Sequence, residues 1–348
     1  MTARTTRSTR RSAPPRAARW LLLAVALAGL AVLAAACDQD DAEPAADATA
    51  DDDATADDEP LTLGFVVDPS WAQVPVAEEL ELFAAEGVDV EVVSFPTGAE
   101  ALEALNGGAI DVATGGETPT SAAIIENSEI AVVADGSRHS ESRFVTSADT
   151  GYEDLEDLQD AVIGTPLGSS AHYYASKFLD QAGVEAELVQ VGPSDMRTAM
   201  DRGDIEVSAV FQPYQTQVIE LLGDEATEIW WADEPYIQHS LYLSLSDTIA
   251  ERGDALAGMV AALGQADELL TSGDDAAMDA VGSAIDLEGD TLATVLDEFE
   301  FAVQLEPELA DILVARAEWG IEQGNLSADT EIPDYDESLE PGPTEGLQ

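Results

Sequence analysis

Apolar positions along the chain follow two alternating rhythms. Leu61–Val67, Val88–Val93, Ile110–Ala113 and Ile130–Ala134 are short runs rich in Val, Ile and Leu, which predict strands. Between them Ala72–Ala85, Ala99–Leu105 and Thr118–Glu126 carry the wider spacing of helices, the first closed by Gly87 and the second by Gly107-Gly108. After a break at about 135–150 without helix signals, the alternation resumes. Strands are predicted at Ala161–Gly164, Ala186–Val191 and Val207–Phe211, and helices at Ala171–Ala182 and Asp195–Arg202. Leu241, Leu243 and Leu245 alternate in a further strand, His239–Leu245, and from Asp247 to about Gln323 the pattern reads as helix after helix with no strand. Strands separated by helices imply βαβ units around a parallel sheet. Two such series imply two α/β lobes. Residues 61–145 would begin lobe 1, 146–238 would form lobe 2, and 239–325 would return to lobe 1 as a strand and helices.

Composition adds the ends. Six arginines and no acid precede an apolar run from Trp20 to Leu33 and then Ala34-Ala35-Ala36-Cys37. Such a run is too short to span a bilayer comfortably, so residues 1–36 read as an export signal. Cys37 is the only cysteine. It stands where a bacterial lipobox places its lipidated residue, although Ala34 occupies the position usually held by Leu, which leaves plain cleavage after Ala36 open. Residues 37–60 then form an acidic linker without large apolar residues, too polar to fold alone, and 326–348 form an acidic, irregular tail. Beyond residue 36 only seven lysines and arginines face all 71 acids, a net charge of −64. That surface repels nucleic acid and anionic headgroups and is eased by salt, in keeping with a saline exterior.

No catalytic constellation stands out. His139, His172 and His239 have no metal-site spacing, a lone cysteine forms no thiol metal site, and neither a Walker A loop nor G-x-S-x-G is present. Neither metal nor cofactor is expected.

Several stretches resemble a known family. "AEELELFAAEGVDVEVV", "ALNGGAIDVATGG", "YEDLEDLQDAVIGTPLGSSAHYYASKFLDQAG" and "MDRGDIEVSAVFQPY" follow, in order, segments typical of solute-binding proteins of ABC importers for sulfonates, taurine, nitrate and thiamine-precursor pyrimidines. The basic residues usual before the third segment's strand are replaced by Gln159 and Asp160. The resemblance covers about residues 61–320. It implies a periplasmic-binding-protein-like (type II) fold, a two-lobed Venus-flytrap with a ligand in the cleft and an ABC permease with its ATPase as partners. It further implies a monomer outside the cell membrane, tethered only by lipid, that binds and does not catalyse. Enzymes of this fold include a desulfinase, which needs a catalytic cysteine, and a pyrimidine synthase, which needs a cysteine-rich segment; the folded body here has neither. A sensory module read by a membrane signalling partner needs the same cleft and stays open as an alternative. So do the ligand choices, with sulfonate or taurine ahead of a pyrimidine or aromatic carboxylate, and nitrate last.

Candidate ligand residues lie where strands end and helices begin, because helix N-termini offer unpaired N–H groups. In lobe 2 these are Ser169, Ser170 and His172, with Gln212 and Tyr214 at a later strand end. In lobe 1 they are Ser70 and Trp71, then Gly116, Glu117 and Thr118. A cleft-facing Glu117 would repel a bare anion and favour an amine or N–H group; otherwise it is an ordinary acid at a helix start. Ser169 or Ser170 could equally be an N-cap. Arg138, near the expected hinge, could neutralise an anion or pair with a carboxylate.

Overall fold

The computed structural model describes residues 59–231 and 236–347. The signal-like segment, Cys37 and nearly all of the acidic linker lie outside the described residues. The chain runs β1 (Leu61–Val66), α1 (Gln73–Glu79), α2 (Leu82–Ala85), β2 (Val90–Phe95), α3 (Gly98–Asn106), β3 (Val112–Gly116), α4 (Glu117–Glu126) and β4 (Ile130–His139). It continues through β5 (Phe144–Ser147), β6 (Val162–Thr165), α5 (Ser170–Ala182), β7 (Glu187–Gln190), α6 (Met196–Arg202), β8 (Val207–Ser208), α7 (Tyr214–Leu222) and β9 (Ala226–Ile229). Last come β10 (Gln238–Leu245), α8 (Ser246–Ser272), α9 (Asp275–Ile285), α10 (Gly289–Leu296), β11 (Phe299–Gln304) and α11 (Leu309–Glu322).

These strands build two sheets, ordered β11-β4-β10-β3-β1-β2 and β7-β6-β8-β5-β9. β1 pairs in parallel with β2 and β3, and β6 with β7 and β8, whereas β10 runs antiparallel between β3 and β4. The polypeptide leaves the first sheet after β4 and returns in β10, so two crossovers join two α/β lobes. Each lobe has its own core. Leu61, Leu63, Phe65, Val112 and Val132 are buried with Leu243 and Leu313 in lobe 1, and Phe144, Ile163, Tyr174 and Val207 in lobe 2. The inner parallel strands β1, β3 and β6 are buried along almost their whole length, whereas the edge strands β2 and β7 leave polar residues exposed. Gly64 in β1 marks the closeness of that packing: a Cβ there would stand 2.6 Å from the tip of the Ile110 side chain, which would have to shift.

Three strands depart from the predicted pattern. β11 interrupts the stretch read as helical throughout. Its Phe299 and Phe301 recur at period two, and it pairs with β4 through Phe299 and His139. β5 and the edge strand β9 beside it have four residues each, too short to stand out. β4 also extends through polar Asp135, Ser137, Arg138 and His139, which the alternation did not carry. The predicted helix at 72–85 is split, because Glu81 takes a left-handed conformation with φ of 55°. The acidic tail is mostly irregular yet packed. Tyr335 is buried, with its hydroxyl against Ser121, and Leu339 bridges to Val132.

Among the described residues no helix is long and apolar enough to cross a membrane.

Candidate functional site

The carboxyl ends of the parallel strands of both sheets face one cleft of about 450 Å³. Lobe 1 lines it with Val66, Asp68 and Trp71 after β1, Pro96 to Glu100 after β2, and Gly116 and Pro119 after β3. Lobe 2 adds Pro166 to Ser170 after β6, Gln190 and Gly192 to Ser194 after β7, and Phe211 and Tyr214 after β8, with Gln238 from the returning crossover. Open α/β sheets place their ligand sites at such strand ends.

Helix starts supply its donors. α3 begins at Gly98 behind Thr97, whose hydroxyl oxygen accepts from the Glu100 amide at 3.3 Å. α5 begins at Ser170 behind Ser169, whose Oγ accepts from the Ala171 and His172 amides. Each helix spends its cap on its second turn-forming amides. The amides of Gly98, Ala99 and Ser170 find no acceptor among the described residues, which leaves donors at the cleft wall. The walls combine the apolar surfaces of Trp71, Phe211, Tyr214 and four prolines with the polar side chains of Asp68, Glu100, Gln190, Ser194 and Gln238. Among the described residues no Lys, Arg or His lines them.

Of the residues expected at the site, Trp71, Gly116, Ser169, Ser170 and Tyr214 are brought together in this cleft. Trp71 is fixed by its indole N–H, which donates to the Leu241 carbonyl at 3.3 Å. Gly116 marks where the lobes meet, since a Cβ there would lie 2.7 Å from Ser170 Oγ. The Ser169 hydroxyl donates to the Pro166 carbonyl at 2.6 Å while capping α5, so it is spent on the fold. Burial and the nearby Asp68 push the Tyr214 hydroxyl above its ordinary pKa, so it stays a neutral donor.

The other expected residues lie elsewhere, each for a reason of pairing. Glu117 does not face the cleft. It is fully buried and takes hydrogen bonds from Arg316 Nε at 3.2 Å, the His239 amide at 3.2 Å, Ser170 Oγ at 3.3 Å and the Tyr236 hydroxyl. Thr118 donates to the same carboxylate at 3.4 Å. Burial works against the charge on Arg316, yet Glu117 holds its guanidinium above its ordinary value. Arg316 also lies 3.8 Å over the Tyr173 ring of α5. The group therefore joins α4 and α11 of lobe 1 to α5 of lobe 2 as a latch beside the cleft.

A second latch forms around Glu298. It accepts from Arg143 at 2.9 Å and from Gln212 Nε2 at 2.7 Å, and lies 3.1 Å from His139 Nε2. Gln212 is thereby drawn to lobe 1 instead of to the cleft. Against the upward push of burial, these partners hold the Glu298 carboxyl below its ordinary pKa. Arg138 is bound to Asp135 at 3.4 Å and to the Ala302 carbonyl at 2.9 Å, outside the cleft. His172 turns its ring against Trp319 at 4.9 Å and accepts from the Gly168 amide; burial lowers its pKa, which keeps it neutral. Ser70 is buried beside the cleft, its amide on Asp68 and its carbonyl accepting from Ser137 Oγ at 2.6 Å.

Asp68, Thr97, Gly98, Gln190, Ser194, Phe211 and Gln238 were not anticipated as cleft residues. Most follow strand ends, and extending the strand-end argument to β2 and β7 would have found four of them. No cluster of three or more acidic, histidine or cysteine side chains able to hold a metal is present among the described residues.

Comparison with known proteins agrees with this architecture. A relative from Escherichia coli named for binding aliphatic sulfonates is 25% identical over 209 residues, or 59% of this chain and 65% of that relative. The chain thus matches just under two thirds of that relative's length. The alkanesulfonate-binding protein SsuA of Xanthomonas axonopodis pv. citri, solved with MOPS bound, superimposes with a TM-score of 0.71 at 19% identity, covering 82% of this chain and 100% of that one. The periplasmic nitrate-binding protein NrtA of Synechocystis PCC 6803 gives 0.66 at 14% identity, over 83% and 88%. These structures share the two-lobed periplasmic-binding fold. Residues 54–285, well over half of the sequence, match the NMT1-like family, and the chain is a member of that family.

Proposed function

We propose that this protein is the extracytoplasmic solute-binding component of an ABC importer, capturing a small organic solute of the sulfonate class between its lobes. The observation that carries the reading is the cleft itself. Helix starts from both lobes offer unpaired amides to one space of about 450 Å³ walled by aromatic rings and prolines. Sulfonate oxygens need several donors and no covalent chemistry, which backbone amides at helix N-termini supply without a cationic side chain. The aromatic walls would cover the carbon part of the solute.

Capture follows from closure. A solute that touches α3 and α5 together stabilises the closed arrangement over the open one, since only a ligand with different affinity for two states shifts their balance. The closed form then presents both lobes to a permease. Among the described residues no cysteine, lysine or histidine lines the cleft. The family membership and the naming of relatives for sulfonate and nitrate binding support the same role. Export and acylation of Cys37 would hold the protein at the outer face of the cell membrane.

Isothermal titration of the full-length protein with short alkanesulfonates in high salt tests the solute class. Saturable binding that Gly116→Val abolishes is expected. Binding unaffected by that substitution would place the solute outside the cleft.

A further inference from the structure

We propose that Asp68 is the specificity-determining residue of this cleft, its free carboxyl oxygen accepting a hydrogen bond from an ammonium or N–H group on the solute. The inference rests on the reading of the cleft as a solute site and names the second pole of the solute it takes.

Asp68 follows β1 and caps the short turn Pro69–Trp71. Its residue is 3% exposed, and it lines the cleft. One carboxyl oxygen accepts the Ser70 amide at 2.8 Å. Among the described residues no side chain donates to the other oxygen within hydrogen-bond distance. Capping accounts for one oxygen only, and Ser, Thr or Asn would serve as well. A carboxyl placed in a cavity with one side unanswered calls for another explanation.

The other two buried acids among the described residues, Glu117 and Asp135, each hold a cationic partner, Arg316 for the first and Arg138 for the second. Asp68 has none, although cations are scarce enough here that nearly every buried one is matched to an acid. The Tyr214 hydroxyl, a donor kept neutral by burial, lies near it, and the other acid of the cleft lining is Glu100. Neither supplies positive charge. Burial accordingly pushes the Asp68 carboxyl up to about 7 against the pull of the Ser70 amide. A solute that brings its own N–H or ammonium group completes this carboxylate, and its acidic end reaches the amides of Gly98, Ala99 and Ser170. A solute with a methyl group in that place leaves the carboxylate desolvated and unpaired.

The test uses matched pairs that differ only at the second pole: taurine against ethanesulfonate, and β-alanine against propionate, titrated by calorimetry into the full-length protein at pH 8. The aminated member should bind at least about tenfold more tightly, as a charge-assisted hydrogen bond implies. Asp68→Asn keeps the cap and should abolish that preference, bringing the aminated and methyl-ended members of each pair to within about threefold of each other. The wild-type preference should shrink at pH 5.5, where Asp68 is protonated and Tyr214 and the cap are unchanged. Equal affinity for both members of a pair, or a preference that survives Asp68→Asn, would overturn the assignment and leave the sulfonate reading standing. Binding by neither member of either pair would overturn the assignment and the solute class together.

Discussion

Replacing Arg316 with Met removes the cation that answers Glu117, the most completely buried carboxylate among the described residues. Glu117 is fully enclosed, and Arg316 itself is 8% exposed. Without the guanidinium, Glu117 keeps hydrogen bonds from Tyr236, Ser170, Thr118 and the His239 amide, but no countercharge. Breaking a buried pair on one side costs about 3–5 kcal/mol. The stacking of Arg316 on Tyr173, at 3.8 Å, is lost as well and adds roughly 1 kcal/mol. For a protein of this size the sum lowers the thermal midpoint by roughly 6–15 °C. The double variant Glu117→Gln with Arg316→Met removes both charges and should recover most of the loss, because a pair replaced together costs far less than one broken singly. Urea denaturation of the wild type, both single variants and the double variant, at one salt concentration, supplies the cycle. A loss below about 1 kcal/mol for Arg316→Met, or a double variant as unstable as the sum of the singles, would refute the latch.

Four further outcomes follow from the same geometry. Gly116→Val should hold the lobes apart, since even a Cβ would lie 2.7 Å from Ser170 Oγ; small-angle scattering should show a larger radius of gyration than the wild type, and an unchanged radius would contradict the contact. Asp68 carries a raised carboxyl, so between pH 4 and 7 the folded state holds a proton that the unfolded state has released, and stability falls as pH rises through that window. The decline from this group, about 4 kcal/mol by pH 7 and flat above it, should vanish in Asp68→Asn when denaturation midpoints are followed against pH. Tyr335→Phe deletes the hydroxyl contact of the tail with Ser121, at 2.7 Å, and should cost about 1 kcal/mol in urea denaturation; no loss would mean the tail is not anchored there. Raising salt from 0.1 to 1 M shortens the screening length from about 10 to about 3 Å and should raise the midpoint of so acidic a chain; a midpoint that falls would contradict strain by self-repulsion.

The lobes were legible because parallel strands buried on both faces write themselves as apolar runs, and Leu63, Val112, Ile163 and Val207 all fall inside predicted strands. β11 was not legible, because its three alternating positions stand between two helices and resemble a continuing helical stripe. At the site, Gly116 and Ser170 could be placed at the cleft because each stands at a strand-helix junction, where open α/β sheets put their ligand-facing loops. Glu117, Arg138 and Gln212 were expected in the cleft and are held by partners at sequence separations of 199, 164 and 86 residues. No local pattern reports such pairings. Asp68 was invisible for a different reason. In a chain with 71 acids one more carries no signal, and only burial without a partner sets it apart.

The central claim is that a solute is held between the lobes by closure. A thermal-shift comparison of wild type and Gly116→Val, each at saturating concentrations of short alkanesulfonates and aminoalkanesulfonates in high salt, tests it most directly. Ligand at about 100 times its dissociation constant adds roughly 2.7 kcal/mol. The account predicts a rise of several degrees for the wild type with at least one of these compounds and none for Gly116→Val. A wild type unmoved by every compound, or a rise of equal size in both proteins, would contradict it.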